Sequence, residues 1–316
     1  MTDLNTRRLG NSQLEITPVG LGTAPIGSTP EWKVYWGPQD EKAALHAIQA
    51  AIDLGVNWID TAPFYGWGRA ERIVGQAIQG RRDRVYVFTK CGTLRDGDGW
   101  FETLKPASIR REVEASLRYL QTDTIDLYQF HDPDPDTPIE ASWMEMQKLI
   151  QEGKVRYAGL SNHPLELVER AAAIAPVTAL QHPYSILARD IEQDILPYAK
   201  RHQVGVLAWG TLAHGFLTDG FSLQQLDADD FRHRHPYAQG ERFQQIQRLR
   251  GALAGIARAH GKTMAATAVA WVLMQPALTG AIIGVRNAQE ARAMADGVGW
   301  KLSREELQSI DHALAA

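Results

Sequence analysis

Four polar residues of this chain fall where short apolar runs end: Asp60 and Tyr65 in NWIDTAPFYG, Lys90 in YVFTKCG and His131 in LYQFHDPD. An acid, a phenol, an amine and an imidazole together form a proton-handling set. A free tyrosine titrates at about 10 and is a poor acid or base at neutral pH. An ammonium beside it favours phenolate and lowers that value, and a carboxylate paired with the ammonium holds it in place. Lys90, paired with Asp60 and directed at Tyr65, fits that role, with His131 hydrogen-bonding a substrate oxygen or relaying the proton. Such a set would deliver a proton to a carbonyl oxygen as a hydride reaches the carbonyl carbon. Side chains do not carry hydride, so a cofactor has to. Taken singly, each residue has an ordinary explanation, as a rim ion pair, loop packing or a structural imidazole. Four compatible types at successive strand ends are much harder to dismiss.

The elements that must position them read as alternating strands and helices. An opening hairpin is expected from Arg7–Leu9 and Leu14–Thr17. Strands are expected at Val19–Gly22, Val56–Ile59, Val85–Thr89, Ile125–Phe130, Val155–Leu160, Val177–Gln181, Val204–Ala208 and Ala281–Ile283. Helical periodicity lies between them, at Glu41–Leu54, Ala70–Gln79, Pro106–Leu120, Pro138–Glu152 and Leu165–Ile174. This rhythm predicts an α/β fold, a (β/α)8 TIM barrel with an N-terminal β-hairpin cap and extra helices after strands seven and eight. The whole of 1–316 reads as one domain. About seventy residues separate the last two strands, including a polar stretch at Asp219–Arg242. A closing helix at Arg304–Leu314 is expected to be capped by Ser303 with Glu306 three residues on.

A net charge of -4 gives no reason to expect nucleic acid or an anionic membrane as partner. The single cysteine, Cys91, rules out an intrachain disulfide framework and makes a reducing cytoplasm the natural compartment. Ala266–Val285 carries no charge, but Gln275, Pro276, Thr279 and Gly280 divide it into a helix and a strand rather than a membrane span. His233 and His235 have metal-like spacing without a partnered carboxylate, so no metal is expected. No obligate protein partner is expected, and the implied partner is a small carbonyl compound. No GxGxxG follows any expected strand; after Gly20-Leu21-Gly22 comes Thr23-Ala24-Pro25. A nicotinamide cofactor would therefore have to be held by barrel loops. Tyr35, Trp36, Trp67 and Trp100 are rim-loop aromatics expected to wall an apolar substrate pocket.

The segments VGLGT, WIDTAPFYG, VFTKCG, SLRYLQTDTIDLYQFH, LIQEGKVRYAGLSN, LQHPYSIL, LAWGTLAHGFLT and IIGVRNAQEA make the chain resemble the aldo-keto reductase superfamily over nearly its whole length. The resemblance implies reversible NADPH-linked reduction of aldehydes or ketones on a metal-free barrel, with Asp60, Tyr65, Lys90 and His131 as catalytic tetrad. It also implies cofactor contacts at Gly22 and Thr23, at Ser161, Asn162 and Gln181 for the carboxamide, and at Trp209 stacking on the nicotinamide. Gly210, Thr211, Leu212 and Gly215 correspond to backbone near the pyrophosphate. Gly284, Val285 and Arg286 follow, with Arg286 matching the arginine that binds the 2′-phosphate of NADP. The chain departs from the pattern after that point. Glu290 stands where a glutamine or arginine is usual, and Ala293 and Met294 replace a polar pair that grips adenine. Glu290 would disfavour a 2′-phosphate or bind the ribose of NAD, so NADP is expected and NAD remains possible. The alternatives are a cofactor-holding regulatory or channel-associated subunit with little turnover, and an NAD-linked sugar or alcohol dehydrogenase. A metal-dependent barrel hydrolase would want His-x-His at Gly20-Leu21-Gly22.

Overall fold

Residues 4–315 are described by a computed structural model. β1 (Arg7–Arg8) and β2 (Glu15–Ile16) pair as the antiparallel hairpin. The chain then alternates: β3 (Val19–Gly22), α1 (Glu41–Leu54), β4 (Trp58–Asp60), α2 (Arg69–Ala77) and β5 (Tyr86–Cys91). A second hairpin, β6 (Thr93–Asp96) and β7 (Gly99–Glu102), interrupts the rhythm before α3 (Pro106–Leu120). There follow β8 (Ile125–Phe130), α4 (Ile139–Gln151), β9 (Val155–Ser161), α5 (Leu165–Ala172), β10 (Ala179–Pro183), α6 (Ile195–His202) and β11 (Gly205–Trp209). Short 3-10 turns, α7 (Gly240–Ala259) and α8 (Met264–Leu273) lead to β12 (Gly280–Gly284), α9 (Ala288–Ala293) and α10 (Arg304–Ala315).

Eight of these strands close into a parallel barrel in the order β10-β11-β12-β3-β4-β5-β8-β9. The expected TIM barrel, its hairpin cap and its late helices are all present. Local chemistry explains several boundaries. Asp40 caps α1 by accepting from the Ala43 N–H, and Gly55, at φ 98°, ends it in the left-handed region. Along α1 the buried positions Ala44, Ala47, Ile48, Ala51 and Ile52 trace one helical face. At the other end of the chain, Ser303 and Glu306 form a reciprocal capping box: the Ser303 N–H donates to Glu306 (2.7 Å) and the Glu306 N–H to Ser303 Oγ (3.2 Å). The uncharged stretch 266–285 divides into α8 and β12, and among the described residues no helix is long and apolar enough to cross a membrane.

Several strands run one or two residues further toward their carboxyl ends than the apolar runs imply. Asp60, Lys90, Ser161, His182 and Trp209 are inside the ladder, because backbone pairing continues past the last residue of the apolar run. Conversely Val56 is not in β4; its N–H is held by Ala51 at the end of α1 (3.1 Å). The β6–β7 hairpin was not expected, although Asp96-Gly97-Asp98-Gly99 between short extended runs is a turn signal.

Inside the barrel, alternate residues on each strand face the axis. Toward the strand N-termini these are apolar: Trp58, Phe88, Leu127, Ala179 and Leu207, closed from below by Leu9, Leu14 and Ile16 of the hairpin. Trp58 fills the barrel floor, fully buried, its indole N–H donating to the Thr17 carbonyl (2.9 Å). Room for that indole comes from Gly20, where a Cβ would lie 2.1 Å from the ring. Gly20→Ala is therefore expected to destabilise the protein by ~1–3 kcal/mol through overpacking, read as a lower urea midpoint with unchanged slope. An unshifted midpoint would mean that Trp58 can move aside freely.

Candidate active site

Two residues further along the same inward rows, the side chains change character. Trp58 gives way to Asp60, Phe88 to Lys90, Leu127 to Gln129 and then His131, and Ala179 to Gln181. Four strand ends thereby converge on Lys90, which is fully buried. Its ammonium donates to Asp60 Oδ1 (2.6 Å), the Thr61 carbonyl (3.0 Å) and Tyr65 Oη (3.3 Å). The other Asp60 oxygen accepts from Gln181 Nε2 (2.7 Å). All three ammonium hydrogens are thus committed, and the phenol oxygen of Tyr65 accepts one of them, which leaves its own O–H to face the cavity.

Tyr65 arrives from a tightly wound turn after β4, in which Gly66, Trp67 and Gly68 all have positive φ. The loop after β3 rests directly on this turn: a Cβ at Gly27 would be 2.7 Å from the Tyr65 backbone. The rings of Trp32, Phe64 and His131 surround the phenol, with centroids 6.0, 6.3 and 5.8 Å away.

The electrostatics differ from the expected depressed phenol. Burial raises the Tyr65 pKa; the Lys90 charge opposes this as expected, but burial together with the Asp60 carboxylate outweighs it, so Tyr65 is protonated. Burial alone would lower the Lys90 pKa, yet the carboxylate of Asp60 and the phenol of Tyr65 raise it on balance. For His131, burial and then the Lys90 charge push the pKa well below the usual range, so the imidazole is neutral. The group holds a neutral acid beside a fixed positive charge.

A cavity of about 1070 Å³ opens over these residues. Its walls include every residue expected to contact a cofactor: Gly22, Thr23, Ser161, Asn162, Gln181, Trp209, Gly210, Thr211, Leu212, Gly215, Gly284, Val285, Arg286 and Glu290. Asn162, at φ 60°, donates to the His131 carbonyl (3.1 Å) and Asp132 (2.9 Å) and accepts from the Trp209 indole (3.0 Å). After β11 the backbone is left-handed at Gly210 and again at Ala213, His214 and Gly215. Such a run of positive φ at two non-glycine residues is costly and is typical of ligand-clamping loops. At Arg286, Nε donates to Gln39 (3.0 Å) and the guanidinium reaches the Pro38 carbonyl. Both Glu290 oxygens are engaged locally, by the Arg286 N–H and by Asn287 Nδ2 (each 2.8 Å). Its carboxylate stabilises the start of α9 rather than standing free in the cavity.

The four expected pocket aromatics divide. Trp36 lines the cavity, packed on His214 and Phe231 with Arg232 over its ring (5.1 Å). Tyr35, Trp67 and Trp100 lie outside it. Trp67 turns to Arg95 (5.6 Å), while Trp100, 41% exposed on the β6–β7 hairpin, backs onto Phe64. Trp32 and Phe64 take the inner positions instead; a turn wound through three left-handed residues directs Phe64 inward and Trp67 outward, which residue type alone does not reveal. The stretch after β11 also supplies Arg232, which reading it as polar loop overlooked. Arg232 lines the cavity, nearly buried, paired with Asp230 (2.6 Å). His235 packs among His214 and Tyr237, and among the described residues no three His, Cys, Asp or Glu side chains gather to hold a metal.

Comparison with known proteins gives a consistent result. The model of the aldo/keto reductase family matches residues 18–315. Aldo-keto reductase YhdN of Bacillus subtilis (strain 168) is 38% identical over 310 residues, covering 97% of this chain and 92% of that protein. Among solved structures, a glycerol dehydrogenase from Gluconobacter oxydans superposes with a TM-score of 0.88 at 38% identity, over 99% of this chain and 96% of that one. An aldo/keto reductase from Klebsiella pneumoniae, solved in complex with NADP and acetate, does so with a TM-score of 0.73 at 30% identity, over 98% and 94% of the two chains.

Behind the Lys90 strand lies a second polar cluster. Glu71 accepts from Thr89 Oγ1 (2.7 Å), and Glu112 accepts from the Gly92 N–H (2.9 Å) and Ser108 Oγ (3.1 Å). Cys91 lies buried on the same side, its thiol pKa pushed well up by burial. Burial raises Glu71 and Glu112 from 4.5 to about 7 each, against the pull of their hydrogen bonds. With folded values above unfolded ones, this contribution to stability is complete below the unfolded value and is lost as pH rises through about 7, on the order of 3 kcal/mol per group. Glu71→Gln is expected to flatten the fall in unfolding free energy between pH 5 and 8 and to raise the urea midpoint at pH 8. Parallel pH profiles for variant and parent would show that Glu71 does not titrate there.

Proposed function

Because the chain belongs to the aldo/keto reductase family, we propose that Tyr65 is its proton donor, with Lys90, Asp60 and His131 completing the catalytic set. The protein is an NADP(H)-dependent oxidoreductase that reversibly reduces aldehydes or ketones to alcohols. One observation carries the assignment of roles: a buried ammonium that spends one hydrogen on the Tyr65 oxygen, directing the phenolic O–H at a cavity. When bound, the nicotinamide supplies the hydride that no side chain can.

The other steps belong to the chain. A substrate carbonyl oxygen lies between the Tyr65 O–H and the neutral His131 imidazole, which fixes its orientation by a hydrogen bond. Tyr65 gives up its proton as negative charge develops on that oxygen. The resulting phenolate is stabilised by Lys90, whose charge Asp60 and the Thr61 carbonyl hold in place. Gln181 fixes Asp60 from the other side. In the direction of alcohol oxidation the same phenolate takes the proton back.

The cavity suits a dinucleotide in size and in lining. Trp209, with its indole tied to Asn162, offers a ring face, and the left-handed backbone from Gly210 to Gly215 offers close approach to phosphate. Arg286 and Arg232 are near enough for each charge to act on the other, a pairing suited to an added phosphate. With Glu290 spent on its own loop, the main objection to NADP weakens. Gly22, Thr23, Ser161, Leu212, Thr211, Gly284 and Val285 are read as the remaining contacts. A single buried cysteine fits a reducing, cytoplasmic setting.

Tyr65→Phe is expected to lower kcat by about a thousandfold while the NADPH dissociation constant, from quenching of tryptophan fluorescence, changes little; unchanged turnover would remove the proton-donor role. Arg286→Ala is expected to weaken NADPH binding by about tenfold or more and NADH binding far less. Equal losses for the two cofactors would take Arg286 out of the 2′-phosphate site.

A further inference from the structure

The carbonyl end of the cavity contains a charge that the proton-transfer chemistry does not use. Asp132 follows His131 directly and lines the cavity. One of its oxygens accepts from Asn162 Nδ2 (2.9 Å). The other has no hydrogen-bond partner among the described residues. Asp132 shares that cavity with Tyr65 and His131, and the same Asn162 amide also holds the His131 carbonyl (3.1 Å), so a substrate bound at the phenol occupies the cavity that Asp132 lines.

Among the described residues, no free cation offsets it there. Lys90 does not line the cavity and is committed to Asp60, Thr61 and Tyr65. The lining contains two arginines. Arg286 follows β12, which is four strands from β8 in a ring of eight and so faces it across the barrel. Arg232 is paired with Asp230 beside the same far wall and covers Trp36. Arg95, over Trp67, and Lys33, 4.0 Å from a Cβ built on Gly99, belong to the outer rim. A further charge that acts on Asp132, Glu102 at the end of the β6–β7 hairpin, is again negative. The same cavity is lined by Trp32, Phe64 and the neutral His131, whose rings pack in sequence on one another.

We propose that Asp132 is a specificity-determining residue that selects hydroxylated carbonyl substrates, accepting a substrate hydroxyl on its free oxygen, and that it rejects substrates bearing a carboxylate. This rests on the reductase reading of the site. A carboxylate only accepts hydrogen bonds, so its complement must donate one. A hydroxyl does so in a charge-assisted bond. An alkyl group leaves the oxygen desolvated and unpaired, and a second carboxylate adds like-charge repulsion. Holding Asn162 needs only one oxygen, which an amide supplies equally well.

The test is kcat/KM with NADPH for three aldehydes: glyceraldehyde, butanal and succinic semialdehyde. The parent enzyme is expected to prefer glyceraldehyde over butanal by about tenfold or more and to disfavour succinic semialdehyde relative to butanal by a similar factor. Asp132→Asn keeps an acceptor for Asn162 and removes the charge. It is expected to raise the semialdehyde-to-butanal ratio by about tenfold and to lower the glyceraldehyde-to-butanal ratio; Asp132→Ser provides the same ratios should the first variant not fold. A flat ranking in the parent, or ratios that do not move in the variants, would overturn the selection by Asp132 while butanal turnover leaves the reductase reading intact. No NADPH oxidation with any of the three would remove that reading, and the proposal with it.

Discussion

Everything at the mouth of this barrel depends on one buried positive charge. An ammonium removed from water is tolerated only where its hydrogens are all accepted and a counter-charge is close. Lys90 meets both conditions through Asp60, the Thr61 carbonyl and Tyr65. Each of those partners is constrained in turn. Asp60 is held by Gln181 from across the barrel, and the turn presenting Tyr65 is braced by the loop on Gly27. The same arrangement that makes a buried lysine tolerable therefore orients a phenol.

This charge also sets the protonation states around it. It helps to keep His131 neutral, and it partly offsets the burial that holds Tyr65 in its phenol form. The site thus holds a proton on the residue proposed to donate it. Stabilisation by Lys90 becomes fully effective only when negative charge forms on the phenol oxygen, which is where differential stabilisation of a transition state is wanted.

Much of this was legible from residue order. Inward-facing alternation on β4, β5, β8 and β10 changes from apolar to polar within two residues, and that change is written in Trp58 and Asp60, Phe88 and Lys90, Leu127 and Gln129, Ala179 and Gln181. What misled was equally physical. Apolar runs understated the strands because backbone pairing continues past the last apolar residue. Rim aromatics were assigned to the pocket by type, yet three left-handed residues at 66–68 turn Trp67 away and leave Phe64 and Trp32 inside. The stretch after β11 read as polar loop, although Arg232 pairs with Asp230 and packs over the Trp36 ring.

The sequence by itself determined the barrel, the identities of Asp60, Tyr65, Lys90 and His131, and the segments that border the cavity. Periodicity and strand ends depend on near neighbours in the chain, and the resemblance to a family depends on residue order alone. Tertiary structure decided the rest: that Gln181 braces Asp60, that Glu290 is spent on its own helix start, that Arg232 joins Arg286, and that Asp132 faces the site with an oxygen to spare. Those relations arise only when barrel closure brings together strands that lie far apart in the chain. Burial, which sets the protonation states, exists only after that closure.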